Sequence, residues 1–134
     1  MENSSLTKMI VLQVELSEDP SVVKEYIKYH DEVWPEIVLD LKERPIGRMR
    51  IYNLHNRLVM LLQVSEDFNL SEGIHIQPPS QEVTEWGKIM GSFLKKFESG
   101  DYDEWTEMNK IWDTEKYFTS EKKYITGSSI EEWI

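Results

Sequence analysis

Between residues 8 and 16 the chain reads KMIVLQVEL, with Ile10, Leu12, Val14 and Leu16 on every second position. Alternate side chains of a strand point to opposite faces, so this run has one continuous apolar face. Its other face carries Met9 and Val11 and then the polar Gln13 and Glu15. A strand of this kind is packed on one side and polar-lined on the other.

The period then changes. Ser17-Glu18-Asp19-Pro20 supplies a turn and a helix start, with proline at or near the first helical position. From Ser21 to about Lys42 the apolar residues fall at 22, 23, 26, 27, 33, 34, 37, 38 and 41, which is helical spacing. Pro35 interrupts it, because its ring disfavours helical geometry at Trp34 and it lacks an N–H. A kink or break is expected there. Residues 48–54 and 57–64 read as two strands joined by His55-Asn56, a hairpin without the preferred Asn-Gly pair. A polar loop over 65–80 precedes a second helix from about Gln81 to Phe97, with Ser80 as N-cap and Gly100 just beyond its end. A fourth strand is read over 107–113, EMNKIWD.

Strand, helix, strand, strand, helix, strand is the ferredoxin-like order, an α+β fold with both helices on one face of a four-stranded sheet. The other face carries Met9, Val11, Val59 and Leu61 and must be covered by a second subunit or left as a groove. A homodimer is the expectation. At 134 residues the chain is read as one domain over 1–134, with a core over about 8–114 and a polar extension over 115–134.

Charge and composition narrow the partners. With 25 acidic against 15 basic side chains, the net charge of -10 opposes binding to nucleic acid or an anionic membrane. The absence of cysteine excludes disulfides, thiolate metal sites and thiol catalysis. The N-terminal MENSSLTK lacks the apolar core of a secretory signal, so a cytoplasmic protein is expected. A neutral small molecule is the ligand that conflicts least with this charge. His55 and His75 fall in a turn and a loop with no paired carboxylates at ligand spacing, so no metal site is expected.

Chemistry concentrates in YIKYHDEVWPE, residues 26–36. Tyr26 and His30 are one helical turn apart and share a face. An unperturbed imidazole titrates at about 6.5 and can give or take a proton near neutrality. The stretch resembles the L-rhamnose mutarotase family, in which Tyr-x-x-x-His is followed by Trp-Pro-Glu, here Trp34, Pro35 and Glu36. The Ile51-Tyr52 pair, the Trp86-to-Met90 spacing and Trp105 before EMNKIWD fit the same family in the same order. The resemblance implies a dimeric α+β barrel and an isomerase that interconverts sugar anomers without a cofactor.

It further implies that His30 and Tyr26 are catalytic, and that Trp86, Glu36 and Tyr52 bind substrate. Trp86 could form a stacking wall or be ordinary core, and Glu36 could hold a sugar hydroxyl or cap a helix. Met49 stands where the family usually has a second tyrosine. That departure favours an alternative, a non-catalytic carbohydrate or small-molecule binding protein on the same barrel. A cofactor-free monooxygenase on that barrel is a further alternative, favoured by five tryptophans and six tyrosines. Gln13 and Glu15 suit a hydroxyl-rich ligand better.

Overall fold

The computed structural model describes residues 6–114 and residue 117. Along it run β1 (Lys8–Glu15), α1 (Pro20–Asp31), α2 (Pro35–Glu43), β2 (Met49–Leu54), β3 (Arg57–Val64), a 3-10 turn (Leu70–Glu72), α3 (Gln81–Ser92) and β4 (Thr106–Glu107). The strands form one antiparallel sheet in the order β2-β3-β1-β4. This is the expected ferredoxin-like arrangement, with its first helix divided in two.

The alternation in β1 sets the layer. Ile10, Leu12, Val14 and Leu16 are buried, and so are Leu58, Met60, Leu62 and Val64 of β3. The two sets pair across the strands, Leu12 with Met60 and Val14 with Leu58. Burying each such side chain contributes about 1.5–3 kcal/mol, so this single face carries most of the cohesion of the sheet. Val23, Tyr26, Phe93 and Leu94 pack on its Val14–Leu16–Leu58 end. Leu41, Phe68, Leu70 and Ile74 pack on its Ile10–Leu62–Val64 end. Ile37 of α2 meets Val83 and Trp86 of α3 in a third cluster.

α1 begins as the sequence predicts. Asp19 is its N-cap, accepting from the Ser21 amide at 2.9 Å, and Pro20 follows in the first turn. The break also falls where expected, with α1 ending at Asp31 and α2 starting at Pro35. Trp34 takes the extended ψ of 136° that a following proline imposes. At the hairpin turn His55 adopts a φ of 55°, and the Asn53 side-chain amide donates to the His55 carbonyl at 2.8 Å.

Two boundaries differ from the sequence expectation. α3 ends at Ser92, five residues before Phe97. Leu94 bridges to Leu16, the Ser17 amide donates to the Phe93 carbonyl at 2.9 Å, and the Lys95 amide donates to the Glu15 carbonyl at 2.9 Å. Strand-type bonding to the end of β1 thus outcompetes another helical turn. Gly100, with a φ of 97°, closes the turn between Phe97 and Asp101 instead of following a helix. β4 is also shorter than 107–113, because only Thr106 and Glu107 pair with β1. Beyond it Ile111 is 94% exposed, so nothing there offers burial to a longer strand. The extension expected over 115–134 lies outside the described residues, apart from residue 117. No helix among the described residues is long and apolar enough to cross a membrane.

Candidate active site

α1 places Tyr26 and His30 one turn apart, and their rings stack with centroids 4.4 Å apart and planes inclined by 28°. His30 Nδ1 lies 2.9 Å from the Tyr26 carbonyl oxygen. A carbonyl can only accept, so in this bond Nδ1 carries the hydrogen, and in the neutral ring the lone pair is on Nε2. The helix backbone therefore selects the tautomer and fixes the ring plane.

Tyr26 is 5% exposed and lies among Val14, Leu16 and Leu58. Burial alone holds its phenol well above the ordinary value of 10.0, so the group stays a neutral hydroxyl through the physiological range. Among the described residues no side chain or backbone group hydrogen-bonds to that hydroxyl. A buried hydroxyl left unpaired costs about 1–3 kcal/mol, so such a group asks for an explanation.

The imidazole is bounded on another side by Trp86, with ring centroids 5.7 Å apart at 67°. Trp34, at the break between the helices, meets Trp86 edge-on at 5.2 Å, and Tyr29 does so at 6.0 Å. Phe93 approaches Tyr26 at 6.3 Å. His30, Tyr26 and Trp86 are thus brought together as the sequence predicts. Trp86 is 6% exposed and enclosed by other rings, so no broad face of it is open in this conformation.

The other expected site residues sit elsewhere. Glu36 is exposed in the first turn of α2, two positions after Trp34, with no hydrogen-bond or ion-pair partner among the described residues. Tyr52 pairs with Val59 on the sheet face away from the helices and accepts a hydrogen bond from Arg50 Nη1 at 3.3 Å. The sheet therefore separates it from His30. Of the Ile51-Tyr52 pair it is Ile51 that packs towards Tyr26. Met49 shares that inward face and packs against the core cluster of Ile10 and Leu62.

Sequence reasoning passed over Tyr29 and Phe93, and also a polar pair beneath α2. Asp40 Oδ2 lies 2.6 Å from His75 Nδ1, and Asp40 Oδ1 accepts from the Ile76 amide at 3.3 Å. Asp40 lies three residues after Ile37, on the inward stripe of its helix, and an acid there requires a partner. A cavity of about 440 Å³ beside it is lined by Glu43, Arg44, Glu72, His75, Ile76 and Gln77. Another of about 340 Å³ lies between α1 and the hairpin turn, lined in part by Val23, Ile27 and His55. His30 and Tyr26 line neither. No three His, Asp or Glu side chains converge as metal ligands among the described residues.

Comparison with known proteins bears on this arrangement. A family model described as L-rhamnose mutarotase matches residues 9–114. An L-fucose mutarotase of Xanthomonas campestris pv. campestris is 28% identical over 102 residues, covering 74% of this chain and 82% of that protein. A UPF0734 protein of Dictyostelium discoideum is 28% identical over 109 residues, covering 75% and 84% of the two chains. The crystal structure of an L-rhamnose mutarotase from Formosa agariphila superposes with a TM-score of 0.58 at 17% identity, covering 80% of this chain and 98% of that one. At that identity the superposition shows the fold.

Proposed function

This chain belongs to the L-rhamnose mutarotase family of sugar isomerases, and from that premise we propose that it interconverts the α and β anomers of a 6-deoxyhexose such as L-rhamnose through His30. L-Rhamnose and L-fucose, the sugars in the relatives' names, are both 6-deoxyhexoses. The observation that carries this reading is the stacked pair on α1. It combines a buried hydroxyl without a partner among the described residues and an imidazole whose Nδ1 is held by the helix backbone, which leaves Nε2 as the acceptor of the neutral ring.

The chemistry follows from those two groups. His30 Nε2 takes the proton of the anomeric hydroxyl as the bond between C1 and the ring oxygen breaks, and the imidazolium returns a proton to that ring oxygen. The open-chain aldehyde rotates about C1–C2, and the same steps run in reverse on its other face. Tyr26 does not carry the proton, because burial disfavours its phenolate; its hydroxyl instead donates a hydrogen bond to the sugar. Positioned acid–base groups contribute about 10²–10⁴-fold, roughly 3–5 kcal/mol of barrier. Trp34 and Trp86 form the aromatic side of the site, with Trp86 presenting a face only once the surrounding rings yield to the sugar. Glu36, exposed near Trp34 and without a partner among the described residues, accepts a sugar hydroxyl.

The same reading includes a homodimer in the cytoplasm. Met9, Val11, Val59 and Leu61 are only partly buried on the open sheet face, and Tyr52 and Leu54 beside them are exposed, which a second copy would cover. Saturation-transfer NMR on the anomeric protons of L-rhamnose, L-fucose and D-glucose tests the proposal. Enzyme-dependent exchange fastest for the 6-deoxy sugars is expected. Sugar binding without exchange for any of them would favour the non-catalytic alternative.

A further inference from the structure

α2 has nine residues, too few for a helix to hold its own orientation without tertiary contacts. Its inward residues Ile37 and Leu41 pack with Val83 and Trp86, while Val38 and Leu39 are exposed. What remains is a second set of contacts on the loop between β3 and α3. Asp40 and Arg44 are four residues apart and share a face of the helix. Asp40, with a side chain nine-tenths buried, binds His75 Nδ1 and the Ile76 amide. Arg44 Nη2 donates to the Gly73 carbonyl at 3.1 Å, and its guanidinium lies 5.5 Å from the centre of the Phe68 ring.

We propose that Asp40, Arg44 and His75 are positioning residues, a clasp that holds α2 against the incoming end of α3 and so keeps Trp34 and Trp86 in place beside His30. The geometry closes a loop through the site. Trp34 lies at the start of α2 and touches Trp86, and Trp86 touches His30. Ile76, held by Asp40, lies four residues before Ser80, the N-cap of α3, and Trp86 follows six residues later. Ile37 and Leu41 fix the two helices directly, and the clasp fixes them through the loop. A carboxylate buried this deeply is costly unless fully hydrogen-bonded, so the pair ties the loop to one position. Glu43 and Glu72, the other charged groups at this cavity, have no partner among the described residues and leave Asp40 as the acceptor for His75.

The effect on turnover rests on the mutarotase reading; the effect on geometry does not. Both can be read from His75→Ala, which removes the donor, and His75→Asn, whose amide N–H can replace it. The Hε1 resonance of His30 reports ring currents from Tyr26 and Trp86, with His55 in the hairpin turn as internal control. In His75→Ala the His30 resonance should shift while that of His55 stays, and KM should rise roughly tenfold at near-constant kcat. His75→Asn should restore both. If His75→Ala does not fold, Arg44→Met is the second variant, and the same His30 shift is expected. An unchanged His30 resonance in a folded clasp variant would overturn the proposal. A shifted resonance in the clasp variants, together with a wild type that turns over no sugar, would support the clasp and overturn the mutarotase reading instead.

Discussion

Tyr26 ties the proposed chemistry to the stability of the fold. Its hydroxyl is buried without a partner among the described residues, so Tyr26→Phe should raise stability by up to about 1 kcal/mol, measured by urea unfolding. The same change should slow anomer exchange, by less than His30→Ala does. Gain and loss in one variant would mark a group kept for the ligand and not for packing. The phenol also predicts a pH dependence. Its folded-state pKa is raised above 10.0 by burial, so the stability linked to it is fully present below pH 10 and is lost as pH rises through the folded value. The urea midpoint of the wild type should therefore fall more steeply between about pH 9 and about pH 11 than that of Tyr26→Phe. At this scale Tyr26 and His30 were legible because one helical turn is a fixed geometry. That Tyr52 lies on the sheet face away from His30 was not legible, because a motif match does not say which member of a strand pair faces inward, whereas the pairing of Ile51 with Met60 does. The Asp40–His75 pair joins positions 35 residues apart, and no local pattern announces it.

Among the elements, those punctuated by strong local signals were read best. Pro20 and Pro35 mark the starts of α1 and α2, and β3 spans 57–64 as expected. The Ser80 hydroxyl caps α3 by accepting from the Val83 amide at 3.2 Å. Ser80→Ala should cost about 1 kcal/mol in urea unfolding, and no change at all would show that the cap is dispensable. The C-terminal end of α3 was misread because Phe93, Leu94 and Phe97 keep helical spacing while the backbone over 93–95 bonds to residues 15–17 at the end of β1, a tertiary competition that spacing cannot reveal. Gly47 is a similar case at the entry to β2. A side chain there would meet Gln63 Cδ at 2.8 Å and Gln63 Cβ at 2.9 Å. Gln63 cannot simply retreat, because its amide donates to the Leu6 carbonyl at 2.8 Å and its carbonyl accepts from the Arg48 amide at 2.9 Å. Gly47→Ala should destabilise by roughly 1–3 kcal/mol, and a wild-type urea midpoint would contradict the close approach.

For the whole molecule, the order of periodic segments was enough to predict the sheet, because the ferredoxin-like scheme follows from alternating strand and helix patterns. What covers the open face lies beyond one chain. Light scattering at micromolar concentration should give twice the chain mass of 15.9 kDa, and a monomer mass would remove the dimer from the account. The central claim is that α1, packed on the sheet and stopped by Pro35, holds an imidazole as the proton carrier of a sugar isomerase. Saturation transfer between the anomeric protons of L-rhamnose, in wild type and His30→Ala side by side, tests it most directly. Alanine is a better helix former than histidine, so α1 should persist and circular dichroism should be unchanged. The account predicts exchange above the buffer rate in the wild type and a loss of about 10²–10⁴-fold in its catalysed part in His30→Ala. Wild-type exchange that survives undiminished in a folded His30→Ala protein would contradict it.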